Sequence, residues 1–300
     1  MTIFFWGAII MKIEGIIIPL VTPFKNNCID FVCYKKLIDY YIEQGVDGII
    51  PLGTTGESPT IESFEYNEIL LKTMEYNNGR TKVYVGLGGN NTSEVIKRLK
   101  IAEDNSVDGI LSVAPYYSRP NQRGIYEHFK SISESTDRDI LIYNIPYRTG
   151  VNIENDTIYK LAQLKNIVGI KDCSGNISQT SELLLNRPND EFSILTGEDA
   201  LFYTTLALGG DGGILASASL NTKSFIKVYN DMKSNDYKEA LKTWRDISKV
   251  IPLLFNEPNP TPLKYCLKNM GLIDSDEVRL PLTNITDELK YKLDNMLFSK

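Results

Sequence analysis

Short apolar strand patterns alternate with amphipathic helix patterns along most of this chain, and that alternation constrains the fold more than any other feature. Eight such units within about 220 residues match a closed parallel barrel better than an open doubly wound sheet. No G-x-G-x-x-G motif follows the first strand, which further disfavours a dinucleotide-binding fold. We therefore predict an α/β fold, a (β/α)8 TIM barrel with a C-terminal helical extension.

The predicted strands are 15–21, 46–52, 82–88, 107–113, 139–145, 166–172, 192–196 and 212–216. The predicted barrel helices are 30–44, 92–105, 124–135, 154–163, 179–186, 199–208 and 222–232. One more helix, the second along the chain, is predicted to begin with Ser58 as its N-cap and Pro59 at its first position. Beyond about residue 235 the pattern is helical only. It predicts helices at 236–255, 261–269 and 285–297.

These patterns divide the chain into an N-terminal extension (residues 1–12), a barrel domain (13–233) and a C-terminal helical region (234–300). The extension is expected to be disordered or not native. Its apolar run, residues 3–10, is too short to span a membrane, and no signal-peptide flanks surround it. We expect Met11 to be the physiological start, which the intact mass of protein from its native source would check.

Charge and cysteine content exclude several classes of function. The net charge of −6 and the absence of basic runs argue against a nucleic-acid surface. With His128 as the only histidine and four cysteines that lack C-x-x-C spacing, a zinc site is not expected. Free thiols in an acidic globular chain favour a reducing, cytoplasmic setting.

A lysine ends the sixth predicted strand, in the segment NIVGIKD at 166–172. Strand alternation places Ile167, Gly169 and Lys171 on one face, and Asp172 on the other. Gly169 would leave room for a small molecule beside the lysine. Two interpretations stay open from this segment: a lysine that extends to solvent at a strand end, or a desolvated, partly neutral amine that attacks a carbonyl.

Further candidate residues follow other strands at the carboxyl end of the barrel, where active sites of this fold lie. The segment GTTGES at 53–58 offers amides and hydroxyls for a small carboxylate, although an ordinary capping turn has the same composition. Tyr116 and Tyr117 follow strand four, and Tyr143 and Arg148 lie at the end of strand five. Each is unremarkable alone, but together they favour a site at this rim.

These motifs resemble a known family. The segments GTTGE (53–57), YNIPYRTG (143–150) and GIKD (169–172) are similar to those of the dihydrodipicolinate synthase/N-acetylneuraminate lyase family of class I aldolases, and the likeness runs from about Gly15 through EPNP (257–260) to RLPL (279–282). The segment with Arg148 resembles the synthase branch, which serves lysine biosynthesis. Sialic-acid lyases and keto-deoxy-sugar-acid aldolases share the lysine and tyrosine but generally lack that arginine.

The resemblance implies roles for the residues at the rim. Lys171 would form a Schiff base with pyruvate, and Tyr143 would exchange protons during imine formation, with Thr54 and Tyr117 extending a proton relay. Thr55, Gly197 and the Ile214 carbonyl would bind pyruvate, while Arg148 would hold the carboxylate of aspartate semialdehyde. No metal or organic cofactor is implied.

The resemblance also implies assembly and regulation. Tyr117 would complete the relay of a neighbouring subunit, so we expect a homo-oligomer, a tetramer built as a dimer of dimers. The positions that resemble the family's lysine feedback site are Ser58, Asn90, Glu94 and Tyr116. Where lysine-sensitive bacterial members carry histidines, this chain has Ser63 and Tyr66, so we expect weak or absent inhibition by lysine.

Three alternatives remain open at this point. The first is a pyruvate-dependent aldolase that acts on sialic acid or keto-deoxy sugar acids. Arg148 is the residue that distinguishes the synthase from such an aldolase. The second is a barrel that binds a keto acid as a regulator without turnover. The third is a barrel unrelated to pyruvate.

Overall fold

A computed structural model describes residues 12–298 of the chain. The expectations for residues 1–10 and for a start at Met11 lie outside the described residues. Eight parallel strands close into a barrel, with helices between them, so the predicted fold is confirmed. The barrel strands are β1 (Gly15–Pro19), β4 (Gly48–Ile50), β5 (Lys82–Gly86), β6 (Gly109–Val113), β7 (Asp139–Asn144), β8 (Ile167–Asp172), β9 (Ser193–Thr196) and β10 (Gly212–Ile214), while β2 (Phe24–Lys25) and β3 (Cys28–Ile29) form an antiparallel hairpin after β1.

The helices cover the outside of the barrel and form the C-terminal region. They are α1 (Phe31–Gln44), α2 (Ser63–Asn77), α3 (Thr92–Asp104), α4 (Gln122–Ser133), α5 (Pro146–Thr149), α6 (Asn155–Leu161), α7 (Ile177–Leu185), α8 (Phe202–Ala207), α9 (Thr222–Lys233), α10 (Tyr237–Ile247), α11 (Ile251–Leu254), α12 (Thr261–Asn269) and α13 (Asp287–Leu297). No helix within residues 12–298 is both long and apolar enough to cross a membrane.

The strands are continuous apolar runs because both of their faces are buried. In β1, Ile17 belongs to the cluster inside the barrel, whereas its neighbours Ile16 and Ile18 pack in the layer between barrel and helices. Five of the eight barrel strands end earlier than predicted, since the chain leaves the sheet there to form loops, whereas β6, β8 and β9 end at the predicted residues. The second predicted strand, for example, ends at Ile50, and Leu52 already has a φ of 59°.

The predicted start of the second helix at Ser58 is wrong. Ser58–Thr60 is a single 3-10 turn, and the α-helix begins at Ser63. Glu62 and Glu65 form the capping box of α2, so they satisfy the first amides of that helix in place of Ser58.

The prediction that Ile167 shares a face with Lys171 is also wrong. The register between β7 and β8 shifts by one residue after Ile140, which forms a β-bulge near Val168. As a result Val168 lies inside the barrel and Ile167 lies in the outer layer. Beyond the bulge the alternation holds: Ile170 is in the outer layer, and the Asp172 carboxylate accepts a hydrogen bond from Thr180 on α7.

The C-terminal region returns to the barrel. The predicted helix 236–255 is divided into α10, a 3-10 turn and α11, whereas Thr261–Asn269 has its predicted bounds. Trp244 of α10 stacks on Tyr203 of α8 and meets the edge of Phe225 on α9, which joins this region to the barrel helices. The segment that leads into α12 lies against the loop after β4, as the contacts at the site show.

Candidate active site

Lys171 and Tyr143 lie side by side inside the carboxyl end of the barrel. They occupy directly paired positions of the adjacent strands β8 and β7, so both side chains enter the interior at the same height. The Lys171 Nζ atom is 4.3 Å from the centre of the Tyr143 ring, and each residue is only 7% exposed. Among residues 12–298 no carboxylate forms an ion pair with Lys171. This favours the desolvated amine over a lysine that extends to solvent.

Burial is the main cause that lowers the pKa of Lys171. The Cys173 thiol and the Asp199 carboxylate oppose this effect, and the Arg148 guanidinium adds to it. Arg148 is therefore a second cation that acts on the lysine, although it lies 23 positions before Lys171 in the sequence. The Asp199 carboxylate accepts hydrogen bonds from the backbone amide and hydroxyl of Ser217, both at its Oδ1 atom, which hold it in place.

The glycine that makes space for the lysine is Gly197, not Gly169 as the sequence predicted. A Cβ on Gly169 would meet the backbone oxygen of Ser193 at 2.4 Å, so protein already fills that space. A Cβ on Gly197 would lie 2.1 Å from the Lys171 Cε atom and 2.4 Å from the Cys173 Sγ atom. Any larger residue at position 197 would displace the lysine, which places Gly197 in the site through packing.

Cys173 is a neighbour of the lysine that we did not single out from the sequence. It lies two residues after Lys171, so the alternation of the strand carries it to the same side, and its backbone amide donates to the carbonyl of Asn144. Burial raises the pKa of the Cys173 thiol to about 12. Burial, followed by the thiol of Cys173, raises the pKa of Tyr143 well above its usual value. Both groups are therefore protonated at neutral pH.

The two threonines lie in the loop after β4. Thr55 is buried, and its hydroxyl oxygen accepts a hydrogen bond of 3.0 Å from the side-chain amide of Asn259, which lies 204 residues later in the chain. Thr54 is half-buried, and its backbone carbonyl accepts from the amide of Glu57 at 3.1 Å. The sequence indicated the threonines, but Asn259 entered only as part of a motif without an assigned role.

Arg148 lies on the wall of a cavity of about 710 Å³ that opens beside the lysine site. It belongs to the short helix α5 directly after β7, and its guanidinium carbon is 5.5 Å from the centre of the Tyr147 ring. Gly197, Glu198 and Asn259 line the same cavity. The wall combines this exposed guanidinium, a group that can bind a carboxylate, with the acidic side chains of Glu198, Asp199 and Glu257.

Tyr117 does not join the other residues within a single chain. Its side chain is 89% exposed, and its φ of 68° turns the backbone at that position. Tyr116, its neighbour, is 40% exposed. Both aromatic side chains are therefore accessible at the surface of this chain.

The remaining predicted residues are spread around the same rim. Ile214 ends β10, and its side chain is buried inside the barrel. Ser58 is half-buried in its 3-10 turn, Asn90 is exposed, and the Glu94 carboxylate in the first turn of α3 pairs with Lys97 at 2.6 Å. Ser63 is exposed and Tyr66 is buried.

Fold and site together define a (β/α)8 barrel with one desolvated lysine at the carboxyl end of its sixth barrel strand. The sequence profile of the Dihydrodipicolinate synthetase family matches residues 12–300. The chain is 59% identical over 287 residues to 4-hydroxy-tetrahydrodipicolinate synthase 2 of Clostridium acetobutylicum, with 96% of this chain and all of that relative covered. The chain therefore belongs to the Dihydrodipicolinate synthetase family.

Solved structures agree with this assignment. A pyruvate complex of the chloride-inhibited dihydrodipicolinate synthase from Acinetobacter baumannii matches with a TM-score of 0.92 at 36% identity, covering 95% of this chain and 98% of that one. A monomeric dihydrodipicolinate synthase variant matches with a TM-score of 0.93 at 36% identity, covering 95% of each chain. The family predicted from the sequence is confirmed, and these relatives support the synthase, an enzyme, over the three alternatives.

Proposed function

We propose that the chain catalyses the 4-hydroxy-tetrahydrodipicolinate synthase reaction, the condensation of pyruvate with aspartate 4-semialdehyde in the diaminopimelate pathway of lysine biosynthesis. The observation that carries this proposal is the buried, unpaired Lys171 amine against the Tyr143 ring. A low dielectric and no partner carboxylate favour the neutral amine that carbonyl attack requires. The pyruvate bound in the Acinetobacter relative supports the choice of the first substrate.

The proposed reaction begins when the nitrogen lone pair of Lys171 attacks the ketone carbon of pyruvate. Tyr143 passes both amine protons from the nitrogen to the ketone oxygen, the first as the carbinolamine forms and the second as that oxygen leaves as water, which leaves the Schiff base. The methyl group then loses a proton and the enamine attacks the aldehyde carbon of the semialdehyde, whose oxygen takes up a proton. Finally the amino group of the second substrate displaces Lys171 and closes the ring. The imine itself is the electron sink, so this chemistry uses neither a metal nor an organic cofactor.

Substrate binding follows from the same rim. The backbone and hydroxyl of Thr55 would donate to the pyruvate carboxylate, while Gly197, which packs against the lysine, and the Ile214 carbonyl would line the rest of the pocket. Arg148 would bind the carboxylate of the semialdehyde from the cavity wall, where its planar fork fits two oxygens.

Assembly is part of the proposal. Thr54 would extend the proton relay from Tyr143 to Tyr117 of a neighbouring copy, since Tyr117 is too exposed to close the relay in its own chain. We propose a homotetramer arranged as a dimer of dimers. One structural relative is described as a monomeric variant, so oligomeric state requires its own measurement. A fully active monomer in sedimentation would contradict the shared relay.

We also propose a cellular setting, a domain division and a response to lysine. Free thiols at all four cysteines favour work in the cytoplasm, and the division at residue 233 separates the barrel from its helical region. Lysine would bind at Ser58, Asn90, Glu94 and Tyr116 only weakly, because Ser63 and Tyr66 replace histidines. Potent inhibition by lysine in a steady-state assay would overturn this last proposal.

Borohydride reduction in the presence of pyruvate tests the proposed function most directly. Reduction should fix one pyruvate-derived adduct per chain, and peptide mass mapping should locate it on Lys171. The same preparation is then assayed with aspartate semialdehyde and, separately, in the cleavage direction with N-acetylneuraminate and a keto-deoxy sugar acid. Condensation of pyruvate with the semialdehyde, without cleavage of either sugar acid, supports the proposal. Formation of the adduct together with cleavage of a sugar acid would assign the chain to the aldolases.

A further inference from the structure

The C-terminal region reaches the candidate site at two points of the loop after β4. Asn259 donates its side-chain amide to the Thr55 hydroxyl, and Lys264 of α12 donates to the carboxylate of Glu57, with both members of this pair completely buried. The Glu57 carboxylate also accepts from the backbone amide of Arg279 at 3.0 Å. The loop is therefore held from a part of the chain more than 200 residues away.

The segment that carries Asn259 is itself fixed. The backbone carbonyl of Pro258 accepts from both the amide and the hydroxyl of Thr261, at 2.9 and 2.7 Å, and the carbonyl of Pro260 accepts from the amide of Lys264. These bonds tie the turn to the first residues of α12. Asn259 is buried, so its amide has little freedom to leave the Thr55 hydroxyl.

The direction of the bond to Thr55 has a chemical consequence. A threonine hydroxyl has one proton and two lone pairs, so it can both donate and accept. The side-chain nitrogen of Asn259 can only donate. Because the amide fills a lone pair of the Thr55 oxygen, the Thr55 proton must point elsewhere. A hydroxyl held in this way is a donor, which is the polarity that a carboxylate ligand requires.

We propose that Asn259 is a positioning residue for substrate carboxylate recognition, which sets the Thr55 hydroxyl as a hydrogen-bond donor. This inference deepens the proposed function and rests on it, since it takes Thr55 to bind the pyruvate carboxylate. Asn259 does not touch the reacting atoms; it acts through Thr55. The C-terminal helical region is then part of the substrate site as well as a cover for the barrel.

The test is the isosteric variant Asn259→Asp. Its carboxylate accepts the Thr55 proton and reverses the bond, so the pyruvate KM should rise about 10- to 100-fold. The kcat at saturating pyruvate and the semialdehyde KM should change no more than about threefold, because the lysine chemistry is untouched. Asn256→Asp adds the same charge to another asparagine of the cavity wall and should have a clearly smaller effect on the pyruvate KM.

Two further measurements separate positioning from general damage. The rate of borohydride trapping with methyl pyruvate, an uncharged ketone, should be nearly equal in Asn259→Asp and the parent, since no carboxylate needs a donor. In a double-mutant cycle, Asn259→Ala should raise the pyruvate KM in the parent but not in a Thr55→Val background. Thermal denaturation of each variant monitors folding.

The possible outcomes distinguish a failure of the role proposed for Asn259 from a failure of the proposed function. A pyruvate KM in Asn259→Asp within about twofold of the parent would overturn the inference. Equal losses with pyruvate and methyl pyruvate, or additive effects in the cycle, would also overturn it and leave Asn259 a structural residue. If the parent chain forms no borohydride adduct with pyruvate, the proposed function itself is refuted.

Discussion

The molecule contains two buried lysines in opposite situations. Lys264 is completely buried between α12 and the loop after β4, where Glu57 and the backbone carbonyl of Glu277 accept its protons. Lys171 is buried inside the barrel with an aromatic ring beside it and, among the described residues, no ion pair. Burial lowers the pKa of both, that of Lys264 to about 8, against the opposing effect of Glu57.

The two lysines differ in whether a carboxylate accompanies the buried amine, and under our proposal that difference separates the reactive lysine from the structural one. With a pKa of about 8, Lys264 remains charged at neutral pH and is held by a carboxylate, so it is a structural cation. Lys171 is desolvated without that compensation, which lowers its pKa and moves its equilibrium towards the neutral amine. Four experiments test this contrast.

Replacing Lys171 by arginine should abolish the reaction. The guanidinium keeps the charge but stays protonated, so it cannot attack a ketone, and the turnover number should fall by about 10⁴-fold or more. The steady-state semialdehyde assay measures the loss of turnover, and borohydride trapping measures the loss of the pyruvate adduct. Lys233→Arg, at a half-exposed lysine paired with Glu14, is the matched control and should retain rate and adduct. A pyruvate adduct on the Lys171→Arg chain would contradict the assignment.

Replacing Lys264 by methionine should destabilise the fold strongly. The change leaves the Glu57 carboxylate buried without its cation, which costs about 3–5 kcal/mol in the free energy of unfolding. Denaturant titration measures this loss, and adding Glu57→Gln to the same chain should restore part of it. The surface variant Lys292→Met, which breaks an exposed pair with Glu288, should have no measurable effect. Equal stability of the two lysine variants would refute the contrast.

Replacing Tyr143 by phenylalanine should slow catalysis but leave the fold intact. The ring still packs over Lys171, whereas the hydroxyl that exchanges protons is lost, so the turnover number should fall about 10²- to 10⁴-fold. The pyruvate adduct should still form, more slowly. Tyr84→Phe removes another hydroxyl from the same interior cluster and should change the rate little. An equal loss in both variants would assign Tyr143 to packing.

The smallest expected effect is on the pH dependence of adduct formation. The rate of trapping should rise with pH through the lowered pKa of Lys171 and then level off, since only the neutral amine attacks. Asp199→Asn removes a carboxylate that raises this pKa, so the rising limb should move to lower pH. Arg148→Gln removes a cation that lowers it, so the limb should move to higher pH. Initial trapping rates across a pH series measure both shifts, and shifts in the same direction would contradict the geometry.

Local patterns in the sequence were sufficient to predict the barrel and the position of Lys171 at its carboxyl end. Continuous apolar strands between amphipathic helices lead to a parallel barrel, and the carboxyl-end rule then places Lys171 and Tyr143 at one rim. Local patterns failed where a single residue changes the register. The bulge near Val168 moved Ile167 to the outer layer, because pairing with β7 shifts by one position and no property of the strand's own composition encodes that shift.

The class of fold, the family and the pair of residues that the proposed chemistry needs could all be predicted from the sequence, since they depend on periodicity and on short motifs. The surroundings of the lysine became visible only in the folded chain: the space above Gly197, the charges of Arg148 and Asp199, and the bond from Asn259 to Thr55. Those contacts join positions up to 204 residues apart. Burial and partner choice are properties of the closed barrel, because they depend on which distant groups exclude water from the same few atoms.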